Sequence, residues 1–66
     1  MVVTVNGATA ELDRDTTVAG LVAARTESSR RVAVAIGGEV VPRSAWETTV
    51  LSDGDVVEIL AAVAGG

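Results

Sequence analysis

At 66 residues, 48% of them apolar, the chain is long enough for one small domain; a chain of this size buries only about 60% of its unfolded surface. A core drawn mostly from Val and Ala, with one Trp and no Phe or Tyr, supplies little wall for a deep pocket, which argues against a self-sufficient enzyme. The absence of Cys and His removes disulfides, thiolate chemistry and most zinc sites. The formal charge of −4, nine acids against five Arg and no Lys, is opposite in sign to what nucleic acid attracts.

Taken in chain order, Val2-Val3-Thr4-Val5 is β-branched and reads as a strand. Asn6-Gly7 follows as a tight hairpin turn, because both residues tolerate positive φ. Ala8 to Leu12 then alternates in polarity, as a half-buried returning strand should. The polar stretch Asp13 to Thr17 leads into a helix that Thr16 or Thr17 can cap, with Asp15 placing negative charge near the positive end of the dipole. Val18, Leu21 and Val22 form its apolar stripe and Arg25 suits its last turn. Gly20 costs up to about 1 kcal/mol relative to Ala in a helix, which close packing of helix on sheet would repay.

After a polar connection from Thr26 to Arg31, Arg31 to Ile36 is a strand and Gly37-Gly38 a turn. Glu39-Val40-Val41 is a short partner strand that Pro42 ends for want of a ladder N–H. Ser44 is a candidate cap for a short helical turn carrying Trp46, a packing residue at the core edge. Asp53-Gly54-Asp55 is a further turn, its two carboxylates turn residues rather than metal ligands or an acid–base pair. Val56 to Leu60 is the last strand. Two hairpins joined through one helix give an α+β class with a mixed four- to five-stranded sheet covered on one face, the last strand lying parallel beside the first in the centre. This is the order of the β-grasp, or ubiquitin-like, fold.

Residues 1–60 are expected to form that domain and residues 61–66 a flexible C-terminal tail of small residues ending in Gly65-Gly66. Glycine has no Cβ and accepts nearly any backbone conformation, so a diglycyl end can thread a narrow channel where a side chain would clash. From Leu60 to Gly66 the chain spans at most ~20 Å, enough to reach a buried site in another protein. Alternation in the last strand puts Val57 and Ile59 toward the helix. It leaves Val56, Glu58 and Leu60, with Val2 and Thr4, on the open face as a docking surface. No run approaches the ~20 apolar residues that span a bilayer, and Met1-Val2-Val3-Thr4 lacks the pattern of a signal peptide, so no membrane partner and a cytoplasmic address are expected.

Val40-Val41-Pro42-Arg43-Ser44-Ala45-Trp46, then Leu51 to Ile59 with its Gly54-Asp55 turn, then the Gly65-Gly66 end, resemble the ThiS family of sulfur carriers in thiamine biosynthesis. The likeness runs over essentially the whole chain. It departs at Gly37-Gly38, where the family often begins the turn with Asn; both choices supply positive φ. The resemblance implies that Gly66 is adenylated and then converted to a thiocarboxylate, on a chain that is not itself a catalyst. It implies a ThiF-type adenylating enzyme using MgATP, a persulfide-bearing sulfurtransferase and thiazole synthase (ThiG) as partners, with no metal or cofactor held by this chain. Three alternatives stay open: a MoaD-like carrier for molybdopterin or another pathway, a ubiquitin-like modifier that joins Gly66 to lysines, and an interaction module with an inert tail.

Overall fold

The computed structural model describes residues 1–25 and 32–61, the last of these for its backbone alone. Five strands, β1 (Val2–Val5), β2 (Ala8–Glu11), β3 (Val32–Ile36), β4 (Glu39–Val41) and β5 (Val56–Ala61), form one sheet in the order β2-β1-β5-β3-β4. The β1–β5 pair is parallel, with Thr4 opposite Val56 and Val5 opposite Val57; the other neighbours are antiparallel. Among the described residues one α-helix, α1 (Val18–Arg25), packs on one face. The architecture is the β-grasp expected from the element order, with the last strand in the centre. β5 runs one residue further than the sequence suggests, because Ala61 still has a partner in Val32 of β3.

The core is a continuous cluster of Val3 and Val5 from β1, Val18, Leu21 and Val22 from α1, Val34 from β3, Val57 from β5, and Trp46 and Leu51 from the segment between β4 and β5. Each buried Val or Leu stabilises the fold by ~1.5–3 kcal/mol relative to leaving it exposed. Trp46 is 5% exposed, and its indole N–H donates to the Val41 carbonyl at 3.0 Å, so its polar atom is partnered as it enters the core.

The helix starts where the segment before β5 crosses beneath it. Thr17 is the N-cap: its hydroxyl oxygen accepts from the Gly20 N–H at 3.1 Å. The Val18 N–H donates to the Thr49 carbonyl at 2.9 Å and the Ala19 N–H to the Trp46 carbonyl at 3.0 Å. All three leading donors of the helix are therefore partnered. Thr17 also forms a bridge with Val50, and the Leu51 N–H donates to the Thr16 carbonyl at 2.9 Å.

Three expectations about single residues are corrected. Gly20 is exposed and does not pack on the sheet; a Cβ there would make only ordinary contact, 3.5 Å from the Thr17 hydroxyl oxygen. Ser44 lies inside a short 3₁₀ turn, Arg43–Ala45, that starts from Pro42 without a side-chain cap. Asp15 precedes the cap in a turn at φ 67°, and the first turn of α1 holds no acid. That turn is closed by the Thr16 hydroxyl donating to the Asp13 carbonyl at 2.6 Å, so Asp15 answers a local backbone demand before any dipole.

Candidate functional site

β5 is the last described strand of the chain, and its alternation is as the sequence suggests. Val57 is fully buried and Ile59 packs against the core cluster. On the opposite face Val56 is 50% exposed and Leu60 58%, with Glu58 exposed between them. Cross-strand neighbours enlarge this surface: Thr4 lies opposite Val56, Ala35 opposite Glu58 and Ala33 opposite Leu60, while Val40 of β4 pairs with Ala35. Val2 also stands exposed, in register with Glu11. The structure thus brings Val56, Glu58 and Leu60 together on the face that α1 leaves uncovered. It is an apolar surface carrying carboxylates, and its described strand residues include no cation. Gly65 and Gly66 lie outside the described residues.

Two turns hold the ends of β1 and β5 together. At one end the Asp53 carboxylate accepts from the Val2 N–H at 2.7 Å, and the Asp55 carboxylate accepts from the Ser52 N–H at 2.8 Å. The Gly54 N–H donates to the Val2 carbonyl at 2.7 Å from a backbone at φ 87°, which glycine alone adopts freely. Both carboxylates therefore serve the turn, as expected. Among the described residues no group of three or more His, Cys, Asp or Glu could hold a metal ion.

At the other end is a feature the sequence reading missed. Asn6 takes the positive φ of the turn, 50°, and its side-chain amide also reaches across to β5. Its Oδ1 accepts from the Ile59 N–H at 2.8 Å and its Nδ2 donates to the Ile59 carbonyl at 3.1 Å. Asn-Gly is so strong a turn signal that it accounts for the residue by itself. The available hint was the parallel β1–β5 pairing, which places a turn amide beside the central strand.

Arg43, whose role the sequence leaves undecided, is in contact with Trp46. The guanidinium carbon of Arg43 lies 4.7 Å from the centroid of the indole ring, a cation–π arrangement that holds an exposed charge over a buried ring. An open depression whose lining runs from Met1, Arg14 and Asp15 to residues 50–53 holds, among the described residues, no buried unpartnered polar atom that would aim at a ligand. No helix of the described residues is long and apolar enough to cross a membrane.

The crystal structure of a thiamine biosynthesis protein (ThiS) from Geobacter metallireducens superposes with a TM-score of 0.83, at 36% identity and with each chain covered completely. The solution structure of a thiamine biosynthesis protein from the same organism gives 0.78 at 36% identity, covering all of this chain and 88% of the other. No curated protein matches. The model of the ThiS family matches residues 3–66, a span that takes in all of the sheet but Val2, the open face of β5 and the Gly65-Gly66 pair, and the chain belongs to the ThiS family.

Proposed function

We propose that this chain is a sulfur carrier of thiamine biosynthesis and that its working group is the carboxylate of Gly66. The observation that carries the reading is the family match through Gly66, joined to end-to-end likeness to a thiamine biosynthesis protein. The fold is consistent with it, because the strand leading to the diglycyl end is central and anchored on both sides.

The chemistry needs two displacements. The Gly66 carboxylate oxygen attacks the α-phosphorus of MgATP in the active site of a ThiF-type adenylating enzyme, and pyrophosphate leaves. The acyl adenylate then has a good leaving group, and the terminal sulfur of a sulfurtransferase persulfide displaces AMP from the carbonyl carbon. A thiol reduces the resulting acyl disulfide, leaving a thiocarboxylate on Gly66 for thiazole synthase to consume. The chain holds no cofactor and performs none of these steps itself; it is a co-substrate that works in the cytoplasm. Val56, Glu58 and Leu60 form the docking surface for these partners, where apolar area supplies contact and the acids select a basic counterpart.

Intact-mass measurement after incubation with the adenylating enzyme, MgATP and a persulfide donor tests the proposal. The expected product has one oxygen replaced by sulfur at the C-terminus. Removing Gly65-Gly66 should abolish it while leaving the fold unchanged. A terminus that never gains sulfur, or a truncated chain that still supports thiazole formation, overturns the reading.

A further inference from the structure

β1 runs parallel to β5 and bonds it at regular intervals: the Thr4 N–H donates to the Asp55 carbonyl and the Asn6 N–H to the Val57 carbonyl, each at 2.9 Å. The next rung would use the carbonyl of Asn6 and the N–H of residue 8. At φ 50° the chain has already turned away into the hairpin, so neither backbone group takes it up. The side-chain amide of Asn6 stands in for the missing peptide group: Oδ1 receives the Ile59 N–H, and Nδ2 supplies the bond to the Ile59 carbonyl. Among the described residues this rung is the furthest along β5 that the β1 side reaches. It falls two residues before the end of the strand as described, on the approach to the diglycyl end.

We infer that Asn6 is a positioning residue for the tail: β3 pairs β5 as far as Ala61, and the Asn6 amide ties the same end of β5 to the β1 side, so that the segment beyond starts from a point held on both sides. The inference rests on the carrier reading and adds a determinant of how the activating enzyme meets its protein substrate. A carrier with a loose exit strand must order it during docking, and that cost falls on binding. Once the terminus is seated the reacting atoms are the same, so turnover at saturation is not altered.

Asn6→Gly separates this role from the turn, because glycine keeps positive φ at no steric cost and deletes only the amide. The comparison variant is Thr17→Ala, which removes the helix cap far from the exit and destabilises the fold by a similar amount. In native-state hydrogen exchange, the Ile59 amide of Asn6→Gly should exchange about tenfold or more faster relative to the amides of β3, whereas Thr17→Ala leaves that ratio unchanged. In steady-state adenylation with the ThiF-type enzyme, Asn6→Gly should raise KM about three- to tenfold with kcat within about twofold, and Thr17→Ala should leave both near wild type at a temperature where each variant is folded. An unchanged Ile59 exchange ratio, or equal KM values for the two variants, overturns the inference and leaves the carrier reading standing. No adenylation of the wild-type chain overturns both.

Discussion

The two hairpin turns of the sheet have nearly the same backbone and different reach. Asn6-Gly7 sits at φ 50° and 82°, Gly37-Gly38 at 58° and 82°, the signs that tight two-residue hairpins require at both central positions. Each donates a backbone N–H to β5, Asn6 to the Val57 carbonyl and Gly37 to the Val56 carbonyl. Only Asn6 has a side chain, and that side chain forms a rung of the ladder at Ile59. The difference follows from the strands they serve. β1 lies directly beside β5 and in parallel, so its turn points along β5 toward the exit. The β3–β4 turn lies at the opposite end of an antiparallel pair, beside the start of β5, which the Asp53–Asp55 turn precedes. A shared turn geometry thus carries a structural task at one site and a tertiary one at the other.

Substitutions can break this comparison in order of effect. Asn6→Val should be the most damaging, at about 2–3 kcal/mol, because a β-branched residue strains at positive φ and the Ile59 bonds are lost as well. The drop in urea midpoint would measure it, and a loss below that of Asn6→Gly would refute it. Asn6→Gly relieves the backbone and loses only the amide, so about 0.5–1.5 kcal/mol is expected; the bonds are exposed and water replaces part of them. Gly20→Ala sharpens the contrast with a glycine that needs no positive φ, and should stabilise by ~0.5–1 kcal/mol on the same urea curves. Destabilisation there would mean that the helix does pack closely at Gly20. Smallest of all, Gly37→Asn should change stability by less than about 0.5 kcal/mol, since Asn tolerates the left-handed region and open space surrounds the position. A large loss at this site would show that the two turns are not equivalent in backbone.

The two faces of β5 were legible from residue pattern. The strict alternation of Val56 to Leu60 separates a buried face from an exposed one, because side chains on a strand point to opposite sides and only one side has a helix to cover it. The apolar stripe Val18, Leu21 and Val22 was equally plain, and all three residues are buried. What escaped depends on partners remote in sequence. Asn6 meets Ile59 across 53 positions, and a turn-forming residue gives no sign that its amide is also engaged. The Gly20 expectation failed for a related reason: a helix wheel shows which face is apolar, but whether the residue beside that face touches the sheet depends on how the helix is rotated over it.

Local chemistry in the chain was sufficient to determine the order of strands and helix, the core-facing residues and the family to which they belong, because each follows from periodicity, turn residues and motif within a short window. Only the folded sheet decided the residue-by-residue register of β5 against β1 and β3, that Trp46 anchors Arg43 while bonding to Val41, and that Asn6 completes the ladder at Ile59. Those outcomes are matters of register and proximity between distant segments. A side-chain amide becomes a rung only when another strand's unpaired peptide group stands within about 3 Å of it.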